Sequence, residues 1–462
     1  MCRHRCKESR IKRTHTKRKI DKVLTHKIFA IPIFIGIMLL VFFLSFDVIG
    51  AFLSDLLSRG IDSFTVLVAN GLDSYGINPV VKSLIVDGVF AGVGSVLSFL
   101  PIVVVLFFFL SILEDSGYMA RIAFVMDKLL RKIGLSGRSI VPMLIGFGCS
   151  VPAIMSARTL SSERDRKMTI MLTPFMSCSA KIPIYGAFAA AFFPKYRALV
   201  MMGIYLLGII IGIIVALILK AVKFRGKPVP FVMELPQYHI PQVKTVLLHV
   251  WERLKGFIIK AGTILFLACV VMWFLGGFGF TDGGFGMVED SADSLMAMIG
   301  GVIAPLFAPL GFGEWQPVAA SISGFTAKEA IVSTMGVLAN VSGDTEDAVN
   351  VAAGVASWFP TGIAAFSFLM FNLLDSPCLA AIATMAQQMQ SRKWFWFAIL
   401  FQNIFAYIVC LCVYQIGSFV TGGAFGVGTA IGFLFLIAIL FMLFRPDPYK
   451  NQKVYSKRSV NA

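Results

Sequence analysis

Residues 146–190 read GFGCSVPAIMSARTLSSERDRKMTIMLTPFMSCSAKIPIYGAFAA and carry most of the information about the fold of the chain. Two cysteines, Cys149 and Cys178, lie there in apolar segments that glycine and proline interrupt, on either side of a charged loop at 161–167. Glycine and proline break helices, and a bilayer accommodates broken backbone only inside protein or beside a water-filled cavity. The pattern therefore indicates a thiol-bearing passage at membrane depth. The alternative is a kinked helix whose cysteines only pack.

The composition is that of a membrane protein. Apolar residues make up 57% of the chain and charged residues 14%, against roughly a quarter charged in soluble proteins. The runs at 28–46, 199–219 and 424–444 are long enough to cross a bilayer, which takes about 20 residues. The first run starts too late and is too long for a cleavable signal peptide. These features predict an all-α polytopic membrane protein.

The net charge of +16 is concentrated at the N-terminus, where residues 1–27 hold eleven Lys or Arg against two acids. Such a segment suits a nucleic acid, but the membrane run that follows favours a cytosolic tail held at an anionic lipid surface. We therefore expect a lipid bilayer as partner and no nucleic acid. The five histidines form no HExxH motif, which disfavours a membrane metalloprotease.

The distribution of Lys and Arg predicts the topology, because these residues mark the cytosolic side. The segments 276–316 and 340–356 hold acids and no basic residue, and are expected outside, whereas both termini are expected in the cytosol. About eight transmembrane helices satisfy every loop, near 28–46, 89–113, 168–193, 198–221, 256–277, 357–377, 394–417 and 424–444. Two segments, 139–159 and 317–338, have both flanks on one side and are expected to be re-entrant hairpins. Residues 47–82 are polar enough to lie outside as amphipathic pieces.

This topology predicts two related halves. Each reads as a span, an amphipathic stretch, a re-entrant hairpin and a span that carries a cysteine, and the two hairpins enter from opposite sides. Pro142 aligns with Pro317, and Cys178 with Cys378. An inverted repeat of this kind is typical of secondary transporters, whose site lies at the midplane between the halves.

The residues around the first hairpin suit a transition metal. Cys149 lies between Gly148 and Ser150, and Pro152 follows. Glycine lets the backbone approach a ligand closely, and proline leaves a carbonyl without its helical donor. A thiolate together with free carbonyls suits a partly dehydrated divalent ion. Cys178 begins the next helix after Pro174.

In the second half Cys378 follows Pro377 and Asp375 at the corresponding place. Asp375 and Asn372 precede it by one and two helical turns, so they are candidates to extend its ligand set. The remaining membrane thiols, Cys269, Cys410 and Cys412, lie in unbroken apolar runs and are expected to pack.

Four further charged residues are candidates for the pathway. Lys328 and Glu329 lie at membrane depth, where ionisable residues are costly and usually functional. Adjacent helical residues do not face each other, so we expect Lys328 to hold a neighbouring helix and Glu329 to face the pore; an ion pair that only fixes the hairpin is the alternative. Glu114 and Asp115, at the cytosolic end of the second span, are either an exit pair for the cation or a charged helix terminus.

Several strings resemble the ferrous iron transport protein B (FeoB) family. They are the GCSVP turn, the RTL…RDR loop and the PFMSC helix start of the first hairpin, with LEDSGYMAR (113–121), PFVMELPQYHIP (230–241), WERLKGF (251–257), FTAKEAIVSTM (325–335) and SPCLA (376–380). The resemblance implies two Gate halves, ferrous iron (Fe²⁺) as substrate, and metal contacts from Cys149, Cys178 and Cys378. It also implies the bacterial cytoplasmic (inner) membrane.

The resemblance divides the chain into a basic tail (1–27), a first span with an external segment (28–82), a first Gate half (83–222), a cytosolic linker (223–255), a second Gate half (256–420) and a last span with a tail (421–462). Family members usually begin with a G domain. Here the Gly226-Lys227 pair precedes proline and lacks the spacing of a P-loop. We therefore expect no nucleotide bound by this chain, and a separate FeoB-type G protein and a small FeoA-like protein as partners; homo-oligomerisation stays open.

Two other functions remain open from the sequence. Gate segments also resemble parts of nucleoside carriers, which would make the chain a transporter of an organic solute. Such a site should hold several amide and hydroxyl groups with stacking aromatic rings, whereas the two hairpins hold thiols and carboxylates. The third possibility is an inactive, truncated FeoB paralogue.

Overall fold

The computed structural model describes residues 29–444 except 75, 77, 225–240, 282–283, 289, 340–350, 352–353 and 423. The predicted tails at 1–27 and after 444, and residues 225–240 of the predicted linker, lie outside the described residues. The described chain is almost entirely helical, apart from an antiparallel hairpin of β1 (Phe278–Thr281) and β2 (Gly284–Met287). This confirms the predicted all-α class.

The N-terminal region is one long helix followed by a bent pair. Helix α1 (Ala30–Phe42) continues through a π-helical segment (Phe43–Val48) into α2 (Ile49–Ser74). The short α3 (Pro79–Ser83) and a second π segment (Leu84–Phe90) lead into α4 (Ala91–Asp115) and α5 (Tyr118–Ile133). The last 16 residues of α4 and α5 meet at 78°, at Gly117, whose φ of 77° suits glycine.

Residues 47–82 therefore differ from the prediction of separate amphipathic pieces. The chain stays helical from Ala30 to Ser74. The polar residues that suggested an interruption are accommodated on the helix itself, as in the ion pair of Arg59 with Asp55 one turn earlier, at 2.8 Å. Because i,i+4 pairs of opposite charge favour helix, polarity here does not mark a break.

The first half continues with short helices and ends in a long one. Its elements are α6 (Ile140–Gly148), α7 (Ser150–Ser156), α8 (Glu163–Leu172), α9 (Ile182–Phe192) and α10 (Arg197–Val222). Ser162 caps α8 by accepting a hydrogen bond from the Asp165 amide, as serine does at helix starts. Between α8 and α9, Pro174 lies in a 3₁₀ turn (Thr173–Phe175), and Cys178 directly precedes a second one (Ser179–Lys181).

The second half repeats this order. Helix α11 (Val243–Phe257) passes through a π segment (Ile258–Gly262) into α12 (Thr263–Gly277), which the β-hairpin follows. The later elements are α13 (Leu295–Phe307), α14 (Trp315–Thr326), α15 (Ala330–Leu338), α16 (Gly362–Leu374), α17 (Leu379–Met389), α18 (Arg392–Val420) and α19 (Val427–Phe444). Helices α5–α10 thus correspond to α13–α18.

Backbone geometry and packing support the repeat. The break between α6 and α7 is extended at Cys149 (φ −150°, ψ 133°), and the break between α14 and α15 is extended at Ala327 (φ −147°, ψ 127°). The halves also exchange equivalent contacts, because α7 packs on α17 while its counterpart α15 packs on α9. These features fit the predicted Gate halves, while the side of the membrane from which each hairpin enters stays a prediction.

Aromatic rings join the two halves in the core. Phe188 of α9 stacks on Phe368 of α16 with ring centroids 5.1 Å apart, and Phe312 meets Phe368 edge-on at 5.2 Å. All three rings are almost fully buried. Aromatic pairs add directional attraction to the gain from burial, so they fix the relative position of α9 and α16.

Six of the described helices are long and apolar enough to cross a membrane, or up to eight segments if each bent pair counts as one span. This confirms a polytopic membrane protein. The segment 276–316, expected as an external loop, contains the apolar α13, which bends by 102° into α14 at residues 310–315. Val302 of α13 is 83% exposed, which is typical of a lipid-facing side chain. This apolar helix was not predicted from the sequence, because the acidic residues before it led to the whole segment being assigned outside the membrane.

Candidate functional site

The three predicted cysteine positions all fall where a helix is interrupted. Cys149 separates α6 from α7, Cys178 precedes the 3₁₀ turn that leads into α9, and Cys378 is the residue before α17. All three backbones are extended or nearly so, and all three side chains are half-buried. Interrupted helix ends leave backbone groups without intrahelical partners, so each thiol lies next to polar backbone.

The fold brings these thiols together with Glu329. The Cys149 thiol lies within electrostatic reach of the Cys178 and Cys378 thiols and of the Glu329 carboxylate. Cys178 and Cys378 also act on each other. Glu329 is exposed at the start of α15, although its neighbour Lys328 is buried. We call Cys149, Cys178, Cys378 and Glu329 the thiol cluster. It draws on both halves.

The thiol cluster is not a finished metal site. Within the described ranges, no three His, Cys, Asp or Glu side chains are placed to hold a metal ion together. The arrangement offers soft sulfur and hard carboxylate donors along a path, a combination that divalent iron accepts. Metal contact by these residues stays a prediction.

Pro152 and Pro377 each leave one backbone carbonyl without its helical donor, and a side chain close to Cys178 donates a hydrogen bond to each of these carbonyls. In a continuous helix residue 152 would donate to the Gly148 carbonyl, but proline has no N–H; the Ser179 hydroxyl donates to that carbonyl at 3.0 Å. Likewise Pro377 cannot donate to the Leu373 carbonyl, and the buried Lys181 ammonium donates to it at 2.7 Å.

A buried ion pair in the second half joins the α14–α15 break to the end of α16. The Lys328 ammonium lies 2.7 and 2.6 Å from the two carboxylate oxygens of Asp375, and both side chains are almost fully buried. The ring of Phe325 lies 5.7 Å from the same ammonium, in cation–π range. This pair ties the start of α15 to the end of α16. In this structure Asp375 is engaged by Lys328, and its predicted contact with the cation stays untested.

Glu114 and Asp115 contact α11 and the residue that precedes it. The Arg253 guanidinium donates to the Glu114 carboxylate at 2.6 Å, and the Gln242 amide donates to Asp115 at 3.1 Å. The pair therefore connects the end of α4 to α11, most of which lies within the predicted linker at 223–255. Its prediction as exit ligands stays untested.

The other membrane cysteines are placed as packing residues are. Cys410 and Cys412 are buried in α18, and Cys412 donates to the Gly432 carbonyl of α19 at 3.3 Å. Cys269 of α12 faces Gly92 so closely that a Cβ there would lie 2.6 Å from the cysteine Cβ.

Sequence reasoning missed Ser179 and Lys181 as structural residues of the site. Lys181 had a signal, because it lies within the apolar run 168–193 and the rule that singled out Lys328, an ionisable group at membrane depth, applies equally to it. Ser179 had no signal, since its partner Gly148 is 31 residues away.

Family models and curated relatives agree with this architecture. The Gate model, described as nucleoside recognition, matches residues 96–192 and 258–392, and the ferrous iron transport protein B C terminus model matches residues 201–253. The chain is 44% identical over 400 residues to the Fe(2+) transporter FeoB of Staphylococcus aureus, which covers 86% of this chain and 59% of that protein. No solved structure matches.

Two more distant relatives extend the comparison. The Fe(2+) transporter FeoB of Methanocaldococcus jannaschii is 38% identical over 407 residues, covering 87% of this chain and 59% of the relative. A Fe(2+) transport protein A/Fe(2+) transporter FeoB fusion protein of Porphyromonas gingivalis is 34% identical over 442 residues, covering 86% and 51%. The chain spans between half and three-fifths of these relatives. Since the Gate matches alone take up half of the chain, it belongs to the Gate family, and the C-terminus model and these relatives make it similar to the Gate-containing membrane portion of ferrous iron transport protein B.

Proposed function

We propose that this chain is a membrane permease through which ferrous iron enters the cell across the bacterial cytoplasmic membrane. The observation that carries the proposal is the thiol cluster, which three helix breaks of the two halves and the start of α15 bring within mutual electrostatic reach. A site between repeated halves is where secondary transporters bind their substrates. Relatives named Fe(2+) transporter over most of the chain support the choice of ion.

Burial and hydrogen bonds support a division of the site into side chains that would meet the ion and side chains that would hold the helix breaks. Lys328 and Lys181 are buried and donate to Asp375 and to the Leu373 carbonyl. They therefore stabilise the breaks, while the half-buried thiols and exposed Glu329 line the route. A mixed set of sulfur, carboxylate and carbonyl oxygen suits Fe²⁺ better than a harder ion such as Mg²⁺.

The proposed partners are those that the resemblance to the FeoB family implies. A GTPase acting in trans would dock on basic surfaces predicted to face the cytosol, such as Arg131 and Lys132 at the end of α5. Charge reversal there should weaken co-purification of the GTPase and lower uptake. The P. gingivalis fusion protein supports a FeoA-like protein as a second partner.

The test is radioactive Fe²⁺ uptake into vesicles that carry this chain, with and without the GTPase, against vesicles that lack the chain. We expect time-dependent uptake that excess unlabelled Fe²⁺ abolishes and a hundredfold excess of nucleoside leaves unchanged. Inhibition by the nucleoside would favour the solute-carrier alternative, which the Gate description suggests. Absence of uptake with and without the partner would indicate an inactive paralogue. Labelling of Ser291→Cys from the outside checks the orientation.

A further inference from the structure

A cavity of about 670 Å³ lies on the predicted cytosolic side of the thiol cluster. Ile145 and Pro152 line it from α6 and α7, so it begins within four residues of Cys149 on either side. At about 30 Å³ for each water molecule, the cavity holds a hydrated ion with room to spare. Its opposite wall is α11, which contributes His249, Glu252 and Arg253.

The charge of this cavity suits release of a cation better than retention. Three arginines, Arg138, Arg158 and Arg253, line it together with two glutamates, Glu114 and Glu252. One glutamate is already neutralised by Arg253 at 2.6 Å. A conduction pathway needs a last site that the ion leaves readily, and a lining with excess positive charge provides one.

Helix α11 packs along α4. Val246 and Val250 pack on Val103 and Phe107 of α4 in a cluster separate from the main core. The outward residues Val243, Leu247 and Trp251 are more than half exposed. Two polar contacts with the end of α4 add to this packing, from Arg253 to Glu114 and from the Gln242 amide to Asp115.

The end of α11 has the form of a hinge. It passes into α12 through the π-helical segment Ile258–Gly262, and π segments often mark functional sites within helices. A small movement of α11 about this segment would open the cavity along its length. The side chain of Met155 in α7 lies 3.7 Å from the Cβ position of Gly256, so α11 closes the cavity against α7.

We propose that this cavity is the release chamber for the hydrated divalent cation and that α11 is its gate, which Glu114 and Asp115 hold closed. The inference rests on the proposed function, since it assumes a cation that crosses the thiol cluster. Glu114 acts here as a latch, not as a ligand. Because most of α11 lies within the predicted cytosolic linker (223–255), a cytosolic partner that binds this helix can move the gate directly.

The gate is tested without iron in inside-out vesicles. The thiol introduced by Ser156→Cys, which lines the chamber, is labelled with a membrane-impermeant maleimide, and its rate is read by peptide mass spectrometry. We expect Glu114→Gln and Arg253→Gln each to speed labelling about two- to fivefold, since a partly exposed ion pair contributes modestly. The E114R/R253E swap should restore the slow rate. Arg59→Gln, which removes the exposed pair with Asp55, is the control and should change nothing. Unchanged labelling in both single variants would overturn the gate.

The chamber is tested by blocking it. A bulky maleimide on the Ser156→Cys thiol should reduce Fe²⁺ uptake at least fivefold, whereas the same label on Lys128→Cys, an exposed position of α5 outside the cavity, should not. If uptake occurs and the label at 156 leaves it unchanged, the chamber is not on the route, although the proposed function stands. If the unmodified chain shows no uptake, the proposed function fails, while the labelling result still decides whether α11 moves.

Discussion

A helix break in each half is closed with different chemistry: the break at Cys149 in the first half and the break before Cys378 in the second. In the first half, the carbonyl that Pro152 frees on Gly148 accepts from a neutral hydroxyl, Ser179, at 3.0 Å. In the second half, the carbonyl that Pro377 frees on Leu373 accepts from a buried ammonium, Lys181. The second half adds a buried ion pair between Lys328 and Asp375, for which the first half has Phe175 at the position matching Asp375.

The different hydrogen bonds and ion pair imply that the two helix breaks differ in rigidity. A neutral hydrogen bond contributes about 0.5–1.5 kcal/mol net, and a hydrogen bond to a charged group about 1.5–3 kcal/mol. Removing one partner of a buried ion pair costs about 3–5 kcal/mol. We therefore expect the second-half break to be a fixed wall of the pathway and the first-half break at Cys149 to be the part that moves.

The largest effect is expected from Lys328→Met, which leaves the Asp375 carboxylate buried without its ammonium partner. The stability of the protein in detergent should fall by about 3–5 kcal/mol, measured by denaturant unfolding. The double variant K328M/D375N should recover most of this loss, because an amide is far less costly to bury than an unpaired charge.

The matched control for this pair is Lys82→Met. Lys82 pairs with Asp73 at a similar distance, 2.7 Å, but on the surface, so its loss should cost less than about 1 kcal/mol. Equal costs for Lys328→Met and Lys82→Met would remove the contrast between the halves.

The next effect is expected from Lys181→Met, which leaves the Leu373 carbonyl without a donor at the point where the halves meet. We expect a loss of about 1.5–3 kcal/mol, with folding retained. Lys195→Met is the control, because Lys195 is exposed after α9 and surface substitutions usually stay within about 0.5 kcal/mol. A loss for Lys181→Met as small as for Lys195→Met would show that the hydrogen bond between the halves is dispensable.

Measurements of Fe²⁺ uptake distinguish the cysteines of the thiol cluster from those that only pack. Cys149→Ser and Cys178→Ser should each lower Fe²⁺ uptake at least about tenfold at equal protein level, because a hydroxyl is a much poorer ligand than a thiolate for a transition metal. Cys410→Ser should leave uptake near the original rate, since Cys410 is buried in the unbroken α18. Unchanged uptake in all three variants would exclude thiol coordination from the mechanism.

How far the sequence predicts this site depends on how local the cause is. Glycine and proline act on their own neighbours, so the breaks beside Pro152 and Pro377 were predictable. The break at Ala327 was located only to the hairpin 317–338, because neither glycine nor proline stands at Ala327. Its extended conformation lets Lys328 point to Asp375, 47 residues away, a contact that no local pattern encodes.

Charge predicted membrane character well and helix continuity poorly. The polar residues of 47–82 suggested separate amphipathic pieces outside the membrane, yet the backbone stays helical through Ser74. A helix accepts charges on an exposed face and pairs them along its length. The same reasoning missed the apolar helix at Leu295–Phe307. The acidic residues before it led us to predict an external loop over the whole of 276–316. Lys181 carried the same signal as Lys328, an ionisable residue at membrane depth, but its partner, the Leu373 backbone carbonyl, leaves no trace in the sequence.

The smallest effect is expected from Ser179→Ala, and it decides whether the first-half break is the mobile one. The change removes only the hydroxyl that donates to the Gly148 carbonyl, so the free energy of unfolding should fall by about 0.5–1.5 kcal/mol. Ser63→Ala, whose hydroxyl bonds to the preceding turn of an exposed helix face, serves as the control with little change. If the break at Cys149 moves during transport, Ser179→Ala should also raise the rate at which Cys149 reacts with a small thiol reagent, by severalfold. Cys378 should react as before, because the Lys328–Asp375 ion pair still holds its side of the pathway. Faster reaction at Cys378 than at Cys149 would reverse the comparison and make the charged break the mobile one.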